Sequence, residues 1–198
     1  KTEAEIAKRP PAGHGLIFLP FLAGERSTGY HENATGAILG LRSATDTIDI
    51  VQAALESVAY RFAEIFDQLN SVIKVREIIA SGGALRQSPI WTQIIADVLG
   101  RDLSLPDTRE ASSRGACLLA LETIGRKLRP VTNKPKRFVA NQRNTKIYKN
   151  EQILGEKYYD KLFAPFRIRP LRGAKPKAGI NFDRISELIS FAEGDWHK

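Results

Sequence analysis

Apolar and polar positions fall in blocks along this chain, and their lengths and periods separate strands from helices. Gly15-Leu-Ile-Phe-Leu-Pro-Phe-Leu22 is a short apolar run that opens on a glycine and predicts a buried strand. Ala23 to Thr35 is polar and contains glycine, which predicts a loop, and Gly36-Ala-Ile-Leu-Gly-Leu41 predicts a second strand. Val51, Leu55, Val58, Phe62, Ile65, Phe66 and Leu69 then recur at steps of three and four, the signature of a helix with one buried face. Asp49-Ile-Val-Gln52 fits a capping box at its start, the Asp oxygen taking an early backbone N–H and Gln reaching back. Glu77 to Ala80 predicts a short strand and Ser81-Gly82-Gly83-Ala84 a sharp turn. A second helix is predicted from Pro89 to Leu99, stopped by Gly100. Leu103 to Pro106 is strand-like, and residues 111–124 predict a helix of small residues suited to close packing, ended by Gly125. Further helices are predicted over Ile147 to Phe163 and over Asp183 to Ala192.

Strands alternating with helices argue for an α/β fold. The pattern divides the chain into a charged, proline-broken lead-in (1–14), a main domain (15–130), its helical tail (131–164) and a basic extension with a short terminal helix (165–198). The 198 residues are 42% hydrophobic and 26% charged, which suits a packed core and argues against disorder. A single cysteine, Cys117, excludes a disulfide framework, and His14, His31 and His197 lack the spacing of a zinc site. No apolar run approaches the roughly 18 residues of a membrane helix, and the N-terminus has no signal-peptide core. The chain therefore reads as soluble and cytoplasmic, with no membrane partner. It contains no methionine, which leads us to expect a piece of a longer protein.

Charge refines this picture. Residues 1–125 carry 12 Lys and Arg against 15 Asp and Glu, residues 126–177 carry 16 against 3, and residues 178–198 carry 2 against 4. The net charge of +8 thus belongs to the C-terminal third. Arg167-Ile-Arg169-Pro-Leu-Arg172-Gly-Ala-Lys175-Pro-Lys177 could neutralise nucleic-acid phosphates. It interleaves few aromatics with its charges, so a solvated tail or a strap on an acidic surface is the expected reading and nucleic acid is not an expected partner.

The turn at residues 81–84 lies between a strand and a helix, where α/β proteins bind ligands. Two adjacent glycines remove Cβ atoms, so a flat ring or a phosphate can approach the backbone, although such a pair more commonly makes only a tight turn. Gln87 and Ser88 stand near the start of the following helix, whose N-terminus favours negative charge. The chain has no phosphate loop of the G-x-x-x-x-G-K-[ST] type, no G-x-G-x-x-G fingerprint and no G-x-S-x-G elbow. Cys117, inside the small-residue helix, is expected to pack. Glu25 and Arg26 suit either a substrate contact or a structural ion pair, and Glu56, beside the apolar stripe, suits a buried hydrogen-bonded anchor.

Several stretches together resemble one family. Gly15-Leu-Ile-Phe-Leu-Pro-Phe-Leu-Ala-Gly-Glu-Arg26, Asn33-Ala-Thr-Gly-Ala-Ile-Leu-Gly-Leu41 and Ala54-Leu-Glu-Ser-Val-Ala-Tyr60 resemble the C-terminal lobe of FGGY carbohydrate kinases. Ser81-Gly-Gly-Ala-Leu-Arg-Gln-Ser-Pro-Ile-Trp-Thr-Gln-Ile-Ile-Ala-Asp-Val-Leu-Gly100 is similar to that family's adenosine motif, and Glu110-Ala-Ser-Ser-Arg-Gly-Ala116 to the segment after it. The wording Gly-Glu-Arg-Ser-Thr-Gly-Tyr is most similar to the gluconate-kinase-like branch, and the whole covers roughly residues 15–125.

The resemblance implies an actin-like, ribonuclease-H-like ATPase fold, with this chain as part of the second of two lobes. It implies ATP or ADP and Mg2+ in the cleft between the lobes, and a sugar or sugar acid as acceptor of the γ-phosphate. By analogy Gly82, Gly83 and Ala84 would face the adenine, with Gln87 or Ser88 nearby. The family's Asp-x-Gly-Thr hairpin, its catalytic aspartate and its Gly-Thr-Ser turn have no counterpart in the sequence, so no catalytic or metal-ligating residue is expected here. The leading expectation is an ATP-binding portion of a kinase, inactive by itself. The alternative is a non-catalytic pseudokinase module that binds nucleotide or a partner. A lobe without its companion is further expected to expose apolar surface and to self-associate as a homo-oligomer.

Overall fold

The structure, a computed structural model, describes residues 2–126 and 134–163. The basic extension 165–198 and the helix expected over 183–192 lie outside the described residues.

The two apolar runs before residue 42 pair as expected. β1 (Ile17–Leu19) and β2 (Ala37–Leu39) form an antiparallel hairpin with Ile17 opposite Leu39 and Leu19 opposite Ala37. Leu19, Phe21 and Ala34 form a small core beneath it. The lead-in is part of the packed structure. It begins with α1 (Thr2–Ile6), whose Ile6 enters the main core, and Arg9 pairs with both Asp46 and Asp49.

The long helix α2 spans Thr47–Val72. Its cap is Asp46, three residues before the Asp49 expected from the sequence. The Asp46 side chain accepts from the Asp49 N–H at 2.9 Å, and Asp49 accepts from the Asp46 N–H at 3.0 Å. The capping box is real, but Asp49 is its inner member, because an acidic N3 answers the cap as well as Gln does.

The buried face of α2 also differs from the expected stripe. Gln52, Ala53, Glu56, Ser57, Ala59 and Ala63 are buried, whereas Phe62 and Leu69 are about half exposed. Small residues let α4 (Pro89–Leu99) lie close against α2, and Trp91 Nε1 crosses the gap to the Leu55 carbonyl at 3.0 Å. A helix that meets its neighbour through alanines hides its small positions rather than its large ones.

After α2 come β3 (Ile78–Ile79), a short α3 (Gly83–Gln87), α4 and β4 (Leu103–Leu105), with β3 and β4 parallel. Gly100 ends α4 in the left-handed conformation, as its position predicts. α5 (Ala111–Thr123) follows, and none of its residues is buried. Its small side chains therefore make no close packing among the described residues, and Cys117 is exposed rather than packed. β5 (Lys136–Phe138), unpredicted from sequence, pairs antiparallel with β4, and α6 (Gln142–Phe163) begins five residues before the expected start. The main core gathers Ile94, Ile95 and Val98 of α4 with Leu103, Leu105 and Phe138 of the sheet and Tyr148 of α6.

Candidate functional site

The residues singled out at 81–88 leave the carboxyl end of β3, the edge where open parallel sheets bind ligands. The strand ladder runs one residue past β3, the Ala80 N–H donating to the Ser104 carbonyl at 2.9 Å. Gly82 then turns the chain with φ 118° and ψ 153°, a region open essentially to glycine. Gly83 starts α3, and the Arg86 N–H returns to the Gly82 carbonyl at 3.2 Å.

Gly82, Gly83, Ala84 and Gln87 are all exposed, so one accessible ridge brings four of the five candidates together. Among the described residues, a Cβ placed on Gly82 or Gly83 would meet no heavy atom within 4 Å. At Gly82 the backbone itself demands glycine. At Gly83 neither conformation nor packing does, so the open space above it is available to something outside the described residues. Ser88 is turned to structural use. Its Oγ accepts the Trp91 N–H at 3.3 Å as the cap of α4, and its carbonyl accepts from the Thr92 N–H and Oγ1.

The loop that follows β4 emerges at the same edge of the sheet. Arg86 on α3 donates from Nη2 to Asp107 Oδ1 at 2.9 Å and ties the two loops together. This pair was not singled out in the sequence, because it joins residues 21 apart that share no motif. Glu110, which opens α5, lies in the left-handed region at φ 48°, and among the described residues no side chain caps that helix.

Glu25, Arg26 and Glu56 are elsewhere. Glu25 is buried and pairs with Arg61 of α2 rather than with its neighbour Arg26, which is exposed. It also accepts the Thr28 and Gly29 N–H groups at 2.9 and 3.0 Å. That is the structural ion pair the sequence allowed, with a different cation. Glu56 is fully buried and serves as an anchor. It accepts from the Ala12 N–H at 3.2 Å, Gln52 Nε2 at 2.8 Å and the Tyr148 hydroxyl at 3.1 Å. His14 Nε2 is 2.9 Å from its second oxygen, and His14 Nδ1 accepts the Leu16 N–H, so the ring donates to Glu56 through Nε2. Burial first, and Glu56 second, push the Tyr148 phenol well above its ordinary value, and Tyr60 is raised by the same two causes.

Among the described residues no three His, Cys, Asp or Glu side chains gather closely enough to hold a metal ion. No chemical step is assigned to the magnesium that the resemblance implies. Among the same residues no helix is long and apolar enough to cross a membrane.

Comparison with known proteins supplies what the geometry alone does not. Residues 1–123 match the family model described as "FGGY family of carbohydrate kinases, C-terminal domain". A gluconokinase of Bacillus licheniformis is 35% identical over 125 residues, covering 62% of this chain and 24% of that protein. A glycerol kinase of Mycoplasma genitalium is 30% identical over 155 residues, covering 73% of this chain and 30% of the other. Among solved structures, gluconate kinase from Lactobacillus acidophilus aligns with a TM-score of 0.69 at 24% identity, over 83% of this chain and 35% of that one. A Plasmodium falciparum glycerol kinase with ADP aligns at 0.59 and 19% identity, over 85% of this chain and 34% of that one. These structural likenesses establish the fold, that of the actin-like sugar kinases. The chain spans about a quarter of the gluconokinases it matches and about a third of the solved kinases.

Proposed function

The chain belongs to the FGGY family of carbohydrate kinases, matching its C-terminal domain, and we propose that residues 81–88 supply the adenine-facing side of an ATP site. The observation that carries this reading is Gly83. It is exposed at the carboxyl edge of a parallel strand pair, and no described residue fills the space over its α-carbon. The exposed Ala84 and Gln87 extend the same surface.

In the whole enzyme we assign to this segment, the γ-phosphate of ATP passes to a hydroxyl of a sugar or sugar acid in the cytoplasm. Phosphoryl transfer depends mainly on positioning and charge neutralisation. The contribution of this chain is the first of these, a surface that orients the nucleotide by its base. Glu25 and Glu56 are buried in structural hydrogen bonds, so neither is placed to take a proton from a sugar. The chain by itself is proposed to bind nucleotide without transferring phosphate.

Calorimetric titration of ADP into the pure chain, beside Gly83→Leu, tests the site. Leu fills the open space without a forbidden backbone angle, so the variant keeps its circular dichroism spectrum. Binding by the parent that the folded variant lacks supports the reading. Equal binding by both moves the nucleotide away from residues 81–88, and sugar phosphorylation by the chain alone overturns the proposed inactivity.

A further inference from the structure

We propose that the Arg86–Asp107 ion pair sets the separation of the loops after β3 and β4, so that Asp107 is a positioning residue for the nucleotide. This rests on the reading that residues 81–88 face adenine. Because β3 and β4 run parallel, both loops leave the same edge of the sheet, and the space between them is what a flat base would enter.

The far end of α3 is well held, with Thr92 Oγ1 donating to the Leu85 carbonyl at 2.9 Å and Ser88 capping the next helix. At its start two glycines supply no side chain, the Arg86 N–H closes the first turn on the Gly82 carbonyl at 3.2 Å, and among the described residues no side chain caps α3. The 2.9 Å contact from Arg86 Nη2 to Asp107 Oδ1 ties this short helix to the neighbouring loop. The guanidinium is 24% exposed and the carboxylate 73%. Such a pair adds little to global stability, and salt screens it. Its effect falls on where the loops rest, which a base held between them would report.

The test titrates ADP by two-dimensional NMR into the parent, Asp107→Asn, and the exchanged pair Arg86→Asp with Asp107→Arg. Hydrogen exchange of the Arg86 and Ser88 amides is read in the same samples without ligand. Asp107→Asn is expected to weaken ADP about three- to fivefold with an unchanged melting temperature, as fits a partly exposed pair. The exchanged pair is expected to restore affinity to within about twofold of the parent, and 1 M salt to remove the difference between parent and Asp107→Asn.

Equal affinity of parent and Asp107→Asn overturns the proposal, as does an exchanged pair as weak as the single variant. Absence of ADP binding by the folded parent sinks the adenine reading instead. In that case faster exchange of the two amides in Asp107→Asn preserves the tie between the loops, and unchanged exchange removes it too.

Discussion

Tyr148 of α6 donates its phenolic hydrogen to Glu56 of α2, 3.1 Å away and 92 residues earlier in the chain. Among the described residues the bond is one of four that converge on a carboxylate with no exposed surface, the others coming from Ala12, His14 and Gln52. The lead-in, the long helix and the C-terminal helix are thereby fixed to a single side chain. Removing the carboxylate strands several buried donors at once, so Glu56→Ala is expected to destabilise the fold by roughly 3–5 kcal/mol. Tyr148→Phe removes one neutral donor and leaves the rest in place, for a loss of about 1–1.5 kcal/mol. Urea unfolding of the two single variants and the double variant measures both values. A Glu56→Ala protein within about 1 kcal/mol of the parent would refute this role for Glu56.

The sequence made some of this legible and hid the rest for physical reasons. Glu56 was recognisable as an anchor because a carboxylate beside an apolar stripe has to be satisfied when buried. Its partners were not, since His14 and Tyr148 lie in segments with no periodic link to α2. The α4 boundaries followed from Pro89 and Gly100, whose backbone preferences are local. The buried face of α2 did not, because Ala59 and Ala63 are buried in one core with Ile94, Ile95 and Val98 of α4, a tertiary fact. At the candidate site, the turn and its glycines were visible as letters. The distinction between Gly82, required by its backbone, and Gly83, not required, appears only in the structure.

That distinction gives opposite expectations for two neighbouring substitutions. Gly82→Ala forces a side chain into a positive-φ region and should lower stability by about 1–3 kcal/mol. Gly83→Ala meets no described atom at the first position of a helix and should be neutral or stabilising by about 0.4–1 kcal/mol, while reducing ADP affinity. Thermal unfolding and ADP titration of both proteins check the pair. A Gly83→Ala variant that loses stability would show that the position is constrained internally, and would remove the main support for a ligand there.

The pH dependence of stability has two arms with different origins. The Arg9 guanidinium, and then the Asp49 N–H, hold Asp46 below its ordinary range, and the Ala140 N–H followed by Arg137 does the same for Asp102. Carboxylates depressed in the folded state stabilise it above their unfolded value near pH 4, and that contribution is lost as pH falls through the folded value. Asp102→Asn should therefore shrink the difference in urea midpoint between pH 3 and pH 6. At the alkaline end Tyr60 and Tyr148 are raised, chiefly by burial, so their stabilisation is complete below about pH 10 and lost as pH rises. Absorbance at 295 nm should show these two phenols ionising only together with alkaline unfolding. Titration of all five tyrosines in a folded chain would contradict it.

Exposed apolar residues remain on the described surface. Leu119 and Ile124 flank the end of α5 at 65% and 70% exposure, and Val72 at the end of α2 is exposed at 83%. Apolar surface of this kind favours association and binds hydrophobic dyes. The pure chain is expected to sediment with a concentration-dependent mass and to enhance dye fluorescence. A monomer over a wide concentration range with no dye signal is the contrary result.

Arg61 decides whether the loop between β1 and β2 keeps its shape. It reaches from α2 to Glu25, Glu64 and the Ser27 carbonyl, and its guanidinium lies 5.2 Å from the centre of the Phe21 ring. Glu25 is 3% exposed, and a Cβ on Gly29 would come within 2.6 Å of its carboxylate, so the loop is folded tightly around a buried charge. Arg61→Ala removes that cation from the buried carboxylate and should cost about 3–5 kcal/mol. Combining Arg61→Met with Glu25→Gln removes both charges while preserving volume, and should recover most of the loss, because a buried pair is worth far less than the penalty for breaking it. Urea unfolding of the single and paired variants separates the two cases. If the paired variant is as unstable as Arg61→Ala, the guanidinium matters through its packing on Phe21 rather than through charge.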